Sequence, residues 1–199
     1  MFVAFEGIDG TGKTTLVSLV KKEIEGRGFR VFATSEPTGR IELKEELKKS
    51  REISAALSLF FRFTEDRFVH QREISEHLGK GEIVLCDRYI MSSMAYQGAI
   101  LEKYFSGKEK TLQWMLAVSE IIDVRPDITF YIDVEPEVAM KRIAGRVALT
   151  GFEEKEYLSG VRNFYNSIDF KGKITLDGSG TLQQSLSDIM ERLSPHLTQ

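Results

Sequence analysis

The sequence has little of what disulfide-bonded, secreted or membrane-spanning proteins need. Its 199 residues include a single cysteine, Cys86, which excludes an internal disulfide and a cysteine-based metal cluster. No apolar run approaches the roughly 18 residues of a membrane span. Met1 leads into an apolar segment without a basic leader, so no secretory signal is expected. These features favour a cytoplasmic compartment and exclude a membrane partner.

Signs of a domain boundary are also missing. Four prolines, no serine- and glycine-rich linker and no internal repeat predict one domain over residues 1–199. The net charge of −3 lacks the overall basic character typical of nucleic-acid binding, so no nucleic-acid partner is expected. An anionic ligand would therefore need a local cluster of donors.

Short apolar runs alternate with segments of helical periodicity. Five runs predict strands, at 2–6, 30–34, 82–86, 128–132 and 173–176. Helical patterns follow residue 12, cover 53–78, 111–122, 136–148 and 153–168, and return after Leu182; the nearly all-apolar segment 111–122 is expected to be buried. Continuously apolar strands indicate an α/β fold, with a five-stranded parallel sheet and helices on both faces.

Residues 7–14 follow the first predicted strand and match G-x-x-x-x-G-K-[ST], the phosphate-binding P-loop. A parallel sheet binds its ligand beyond the carboxyl ends of the strands, where this loop lies. Lys13 would reach the β- and γ-phosphates, and Thr14 would hold Mg²⁺. The residues expected to bind ATP here are Gly7, Ile8, Asp9, Gly10, Thr11, Gly12, Lys13, Thr14 and Thr15. The sequence therefore predicts binding of a nucleoside triphosphate with Mg²⁺.

Two aspartates are candidates for a second metal-binding position. Asp87 and Asp133 each follow an apolar strand, as the Walker-B carboxylate does. Asp87 is preferred because Arg88 follows it directly, which suits a site that handles metal and phosphate together. A helix-capping aspartate beside a surface arginine is the alternative interpretation.

The predicted helix at 136–148 carries Arg142 and Arg146 four residues apart on one face. The opposite, inward face is expected to hold Met140, Ile143, Ala144 and Val147. Two arginines on a free face could cover phosphates as a lid, at about residues 141–156, because a guanidinium donates paired hydrogen bonds to phosphate. Solvated arginines are the alternative.

Four residues of the predicted helix at 53–78 share one face, since Phe60, Phe63, Arg67 and His70 are spaced by three, four and three positions. An aromatic ring with an arginine one turn later could stack on a base and donate to its carbonyl. Core packing explains the same spacing, and the spacing leaves both interpretations open.

These motifs together resemble the thymidylate kinase family, whose members transfer a phosphoryl group from ATP to dTMP. The resemblance covers nearly the whole chain. It is carried by residues 5–15, Glu36-Pro37, 63–67, Asp87-Arg88-Tyr89 and 92–98, of which the last two segments are the most specific.

The resemblance implies roles for the acceptor side. Phe63 would stack on thymine and Arg67 would donate to its O4. Tyr96 would lie under the sugar and leave no room for a ribose 2′-hydroxyl. Asp9 would meet the 3′-hydroxyl or orient Arg88, which would bridge the acceptor phosphate and the transferred group. The implied dTMP-binding residues are Asp9, Glu36, Phe63, Arg67, Arg88, Ser93, Tyr96 and Gln97.

Other implied roles concern catalysis, adenine and assembly. The implied catalytic residues are Lys13, Arg88, Arg142 and Arg146, and Asp177 and Ser179 sit where the family contacts adenine. The family also implies a homodimer, for which the phenylalanine-rich segment 57–68 is the expected contact.

The sequence departs from the family pattern at three places. Gly10 stands where some members have an arginine, which resembles members whose lid arginines supply that charge. Thr150-Gly151 stands in the lid where the family often has an acid followed by arginine. After Glu36-Pro37 the loop is irregular, which leaves Arg40 and Lys44 as candidates for the cation at the acceptor phosphate.

The preferred interpretation is Mg²⁺-dependent transfer of the γ-phosphoryl group from ATP to dTMP, giving dTDP and ADP for dTTP synthesis. One alternative is a kinase for another acceptor, such as dUMP or a deoxynucleoside. A second is a P-loop switch, although no N-K-x-D guanine-binding sequence is present. A third is a degraded paralogue with little turnover, which the unusual lid favours.

Overall fold

The structure is a computed structural model that describes residues 1–43, 47, 49–143 and 151–197, with the backbone alone at 151–153. Five parallel strands form one sheet: β1 (Phe2–Glu6), β2 (Val31–Ser35), β3 (Ile83–Asp87), β4 (Ile128–Asp133) and β5 (Lys173–Asp177). Their spatial order is β2-β3-β1-β4-β5. The predicted α/β class with five parallel strands is confirmed, although β2 and β3 begin and end one residue later than expected.

The described part of the chain contains seven α-helices: α1 (Lys13–Gly26), α2 (Ile53–Gly79), α3 (Ile90–Phe105), α4 (Lys108–Ser119), α5 (Pro136–Ile143), α6 (Gly151–Ser167) and α7 (Leu182–Leu193). Helix α1 packs with α7, whereas α3 packs with α2, α4 and α6. Because crossovers are right-handed and the chain reverses its direction across the sheet, these two groups cover opposite faces. Among the described helices, none is long and apolar enough to cross a membrane.

Strand β1 lies at the centre of the sheet, and all five of its residues are buried. It pairs with β3 on one side, where Phe5 faces Asp87, and with β4 on the other, where Glu6 faces Tyr131. The chain moves from β1 to one edge of the sheet and then from β3 to the other. Such a reversal leaves a crevice at the carboxyl ends of β1 and β3, which is where open parallel sheets bind ligands.

Two helices differ from the sequence-based expectation. Helix α4 is not a buried helix, because only Thr111, Met115 and Ser119 are buried and Leu116 is exposed. A helix packed on one side buries one stripe at a spacing of four, whatever its overall composition. Helix α3 was not predicted at all. It packs against three other helices and buries serine and glutamine as well as apolar residues. Its sequence therefore lacks the alternation of apolar and polar residues that indicates a helix.

Within the predicted helix at 136–148, the structure describes residues 136–143, which form α5. Pro136 and Ala139 are its buried residues, and the half-buried Met140 and Ile143 lie on the same side of the helix, where Met140 packs against the core as predicted. The backbone of Ala139 lies against the P-loop at Gly10. Ala144 and Val147 lie outside the described residues, as does the whole segment 144–150.

Candidate active site

The P-loop connects β1 to α1, and its path requires glycine. Gly10 has a φ of 85°, in the left-handed region that favours glycine. A Cβ at this position would lie 2.4 Å from the carbonyl oxygen of Ala139, so no side chain fits there. Gly12, with a φ of 90°, directly precedes α1. The loop therefore lies at the N-terminus of a 14-residue helix, whose dipole favours an anion.

Lys13 is buried beneath the P-loop. Its Nζ donates to the carbonyl oxygens of Gly7 at 2.8 Å and Ile8 at 2.9 Å. Burial and the positive charge of Arg88 together lower the pKa of Lys13 to about 7, against the opposing effect of Asp9. A phosphate placed against Nζ would favour the charged form of the lysine.

Asp87 and Thr14 meet where β3 ends and α1 begins. The Thr14 hydroxyl donates to Asp87 Oδ2 at 2.6 Å. Asp87 Oδ1 is buried and has no hydrogen-bond partner among the described residues. Asp133, the rival aspartate, is instead held by Arg162, with Nε and Nη2 at 2.6 and 3.0 Å from its two oxygens. Of the two carboxylates, the one beside the P-loop is Asp87.

Arg88 is held in a single orientation at the middle of the site. Its backbone has a φ of 70°, which is uncommon for a residue with a side chain. Nη2 donates to Asp9 Oδ1 at 2.6 Å, and the guanidinium carbon lies 5.1 Å from the centre of the Tyr96 ring. Burial acts to raise the pKa of Asp9, but the charges of Arg88 and Lys13 outweigh it and the pKa is lowered.

Arg67 and Glu36 form a buried ion pair on the other side of the cleft. Arg67 Nε donates to Glu36 Oε2 at 2.7 Å, and its Nη2 donates to Ser93 Oγ at 3.1 Å. The remaining nitrogen, Nη1, is buried and has no partner among the described residues. His70 Nδ1 lies 3.0 Å from the second oxygen of Glu36, so His70 also helps to hold this carboxylate. The half-buried Phe63 lines the cleft one helical turn before Arg67.

Tyr96 and Gln97 extend from α3 toward the P-loop and the cleft. The Tyr96 hydroxyl accepts from the Asp9 backbone N–H at 2.9 Å and donates to Asp9 Oδ2 at 3.2 Å. Burial raises the pKa of Tyr96, so the phenol stays protonated. Gln97 is buried, and its Oε1 has no partner among the described residues. The P-loop and α3 are thus joined through Asp9.

The P-loop and the side chains of Arg67, Asp87, Arg88 and Tyr96 line one cleft of about 1000 Å³. The P-loop lysine and Asp87 lie on its walls, as do Phe63 and Arg67, with Arg88 between the two sets. A cleft of this size suits ligands as large as nucleotides. Its polar groups also form two separate sets, one of a kind that binds phosphates and one that could bind a base.

A family model described as thymidylate kinase matches residues 5–189. The chain belongs to the thymidylate kinase family. It is 41% identical over 200 residues to a probable thymidylate kinase of Thermoplasma acidophilum, covering 100% of this chain and 98% of that protein. The identity is 40% over 190 residues to a probable thymidylate kinase of Thermoplasma volcanium, covering 95% of both. One from Archaeoglobus fulgidus is 31% identical over 198 residues, covering 99% of this chain and 96% of that protein.

Arg142, one of the two arginines predicted to cover phosphates, contacts backbone carbonyl groups in this structure. Its Nη1 donates to Gly178 O at 2.9 Å, and its Nη2 donates to Ser179 O and Gly180 O at 3.2 and 3.3 Å. These carbonyls lie in the loop between β5 and α7. Arg142 therefore clamps this loop at one end of the cleft. Arg146, like Thr150, lies outside the described residues.

The loop expected to contact adenine lines the cleft through its glycines. Gly178 and Gly180 are lining residues, whereas Asp177 and Ser179 are not. The Asp177 carboxylate instead accepts from the Ser179 backbone N–H at 2.9 Å, which shapes the turn. Of the predicted P-loop contacts, the cleft is lined by residues 9–15, while Gly7 and Ile8 turn their carbonyls to Lys13.

The sequence analysis missed one arginine that lines the cleft. Arg40 does not line the cleft, and its guanidinium pairs with Glu73 at 2.7 Å on the outer surface. Lys44 lies outside the described residues. Arg51 does line the cleft, where it pairs with Glu154 and lies 4.9 Å from the centre of the Tyr157 ring. No motif marks Arg51, because its place in the site depends on how α2 approaches α6.

A buried carboxylate behind the site was missed as well. Glu6, the last residue of β1, has no exposed surface. Its two oxygens accept hydrogen bonds from Tyr89, Ser92 and Tyr165. In the sequence Glu6 ends an apolar strand, and this position does not predict that its carboxylate contacts α3 and α6.

Proposed function

We propose that the protein transfers the γ-phosphoryl group of ATP to dTMP and releases ADP and dTDP, a step toward dTTP. The observation that carries this proposal is the position of Arg88. It lies between the P-loop and the buried pair of Arg67 and Glu36, with all three facing one cleft. A single guanidinium there could contact the phosphates of a donor and of an acceptor together.

The donor end fits ATP with Mg²⁺. Asp87 offers a buried carboxylate oxygen that no described residue contacts by a hydrogen bond, next to the hydroxyl of Thr14. Mg²⁺ takes oxygen ligands and is commonly held by one or two protein groups together with phosphates and water. When bound, it would neutralise charge on the phosphates. The residues that would hold it are Thr14 and Asp87, while Lys13 would bind phosphate oxygens directly.

The acceptor end fits a pyrimidine base with a carbonyl. Within the part of the chain that the structure describes, Arg67 Nη1 is a buried donor without a partner, and a buried donor is stabilised by an acceptor such as thymine O4. Phe63 lies one helical turn away, in a position to stack on the same base. Glu36 orients the guanidinium from the opposite side through Nε. Tyr96 would lie beneath the sugar, as the family resemblance implies.

In this reaction the protein mainly aligns the acceptor phosphate with the γ-phosphorus and stabilises negative charge. An oxygen of the acceptor phosphate attacks the γ-phosphorus of ATP, and the bond from that phosphorus to the β–γ bridging oxygen breaks. No general base is needed, because the attacking phosphate is already an anion. Lys13 and Arg88 would stabilise the charge on the transferring group, and one well-placed arginine can raise the rate by roughly 10³–10⁵. Closure over the cleft would exclude water as an acceptor.

An acceptor panel tests this function. ADP formation from ATP and Mg²⁺ is measured with dTMP, dUMP, the ribonucleotide of thymine, dCMP, dGMP, AMP and thymidine. We expect dTMP to give the highest kcat/KM. Preference for another acceptor would retain phosphoryl transfer but contradict the thymine assignment. ADP formation unaffected by every acceptor would contradict the kinase function and favour a switch or a degraded paralogue.

We also infer a homodimer that forms through α2. Phe61, Phe68 and Val69 are between 37% and 48% exposed on this helix, which is unusual for large apolar side chains. Phe61 and Phe68 belong to the segment 57–68, which the sequence indicated as the dimer contact. Light scattering at micromolar concentration should give twice the mass of 22.6 kDa. A mass of one chain would contradict the dimer.

A further inference from the structure

Glu6 lies directly behind the P-loop, where none of the predicted ligand contacts occurs. It is completely buried at the end of the central strand. Its Oε1 accepts from the backbone N–H groups of Tyr89 at 2.8 Å and Ser92 at 3.2 Å. Its Oε2 accepts from the hydroxyls of Ser92 at 2.5 Å and Tyr165 at 3.1 Å. Every partner of this carboxylate is therefore on α3, on the residue before it, or on α6.

The first two bonds fix the start of α3. A helix begins with backbone N–H groups that have no partner within the helix. Tyr89, which precedes α3, provides no side-chain cap. Glu6 accepts from this turn instead, across the gap between β1 and α3. The Glu6 carboxylate, which belongs to β1, thus caps α3 at the turn that immediately follows Arg88.

The same carboxylate is connected to the side chain of Arg88. Arg88 Nη1 donates to Ser92 Oγ at 3.1 Å, and Ser92 Oγ donates to Glu6 Oε2. Nη1 also lies 3.3 Å from the carbonyl oxygen of Gly7, which receives a bond from Tyr165 at 3.4 Å. On its other side the guanidinium meets Asp9. Arg88 is therefore held between Asp9, which faces the cleft, and a buried network that ends at Glu6.

The backbone of Arg88 depends on this network too. Its φ of 70° lies in a region that side-chain-bearing residues rarely occupy, and such a conformation persists only where the surroundings hold it. The Arg88 N–H donates to Phe5 O at 2.9 Å, and the next residue, Tyr89, donates to Glu6. Two consecutive residues of β1 thus fix two consecutive residues of the Arg88 turn.

We propose that Glu6 is a positioning residue, which acts through Ser92 to hold the Arg88 guanidinium in the orientation needed for phosphoryl transfer. This inference rests on the proposed function, in which Arg88 contacts the transferring group. Glu6 itself touches no substrate. Misplacement of a catalytic group by about 1 Å can lower a rate about a hundredfold. A buried carboxylate that orients Arg88 through Ser92 can therefore control turnover.

A double-mutant cycle separates positioning from stability. The four proteins are wild type, Glu6→Gln, Arg88→Ala and the double variant, assayed at saturating ATP with the best acceptor of the panel. Glu6→Gln keeps the size and one carbonyl acceptor but removes the charge. We expect it to lower kcat about tenfold to a hundredfold with less than about a threefold change in the KM for ATP. Without Arg88, the same change should alter kcat less than about twofold.

The control is Gln71→Met, which removes a different buried polar group that accepts from backbone N–H groups, those of Asp123 and Val124. It should lower the melting temperature and leave kcat unchanged. Equal and additive losses of kcat in the two backgrounds would overturn the proposal. If Glu6→Gln does not fold, Ser92→Ala replaces it in the cycle with the same expectation.

Crystal structures of wild type and of Glu6→Gln give a readout that does not depend on activity. Positioning predicts that the guanidinium of Arg88 moves away from Asp9 in the variant. An unchanged Arg88 would overturn the proposal. Absence of phosphoryl transfer in the wild-type protein with every acceptor would instead contradict the proposed function, whatever the position of Arg88.

Discussion

The hydroxyl of Thr14 donates a 2.6 Å hydrogen bond to Asp87, which joins the first turn of α1 to the carboxyl end of β3. The two residues are 73 positions apart in the chain. Their contact places a threonine of the P-loop beside a carboxylate whose other oxygen is buried and has no partner in the described part of the chain. This pair is the geometric basis for the proposed Mg²⁺ site.

Asp87→Asn should weaken the response of the enzyme to Mg²⁺. The amide removes the charge that would bind the cation, and loss of such groups typically costs about 10–100-fold in metal affinity or activity. The Mg²⁺ concentration for half-maximal rate is the measurement. Asp133→Asn is the matched control, because Asp133 ends β4, which lies on the other side of β1, and pairs with Arg162. An equal shift in both variants would remove Asp87 from the metal site.

Phe63→Ala should raise the KM for dTMP and leave the KM for ATP nearly unchanged. Stacking on a base is worth about 1–3 kcal/mol, which corresponds to about 5–150-fold in KM. Phe29→Ala provides the control, since Phe29 is also a half-buried phenylalanine but does not line the cleft. Equal effects on the two substrates would reassign Phe63 to packing alone.

Arg51→Ala should raise the KM for dTMP by roughly tenfold or more, because charge-assisted hydrogen bonds contribute about 1.5–3 kcal/mol. In the structure Arg51 pairs with Glu154 at the cleft, and we expect a phosphate to replace that carboxylate. Arg40→Ala is the matched control, because it removes an arginine that pairs with Glu73 outside the cleft. Steady-state kinetics with both variants decide between the two arginines.

Asp9 should make the stability of the protein depend on pH in the acidic range. The charges of Arg88 and Lys13 lower the pKa of Asp9 below its ordinary value. The stabilisation is therefore present above the ordinary Asp pKa of about 3.9 and is lost as the pH falls through the lowered value. Melting temperatures of wild type and Asp9→Asn should differ at pH 6 and converge only when the pH falls below the lowered pKa of Asp9. Asp188→Asn, on the surface of α7, controls for the change in net charge.

The sequence by itself determined the sheet and the donor end of the site. Continuous apolar runs indicated five parallel strands because a strand covered on both faces must be apolar on both. The P-loop could be located because its function depends on a local arrangement of glycine, lysine and threonine. Asp87 was preferred over Asp133 by its neighbour Arg88, and the structure does place Asp87 beside Thr14.

Helix α3 could not be found from periodicity, because it packs against three other helices and its buried face includes serine and glutamine. The expected burial of α4 was wrong for the opposite reason. An apolar composition does not show that only one side of a helix has neighbours.

Only the tertiary structure decided which distant side chains share the site. Arg142 meets the carbonyls of residues 178–180, and Arg51 reaches the cleft beside Glu154. Glu6 meets Tyr165 from 159 positions away. These contacts depend on the spacing and rotation of whole helices, which are set by packing over the entire core. A local sequence pattern records what a residue can do, whereas the fold determines which partner it meets.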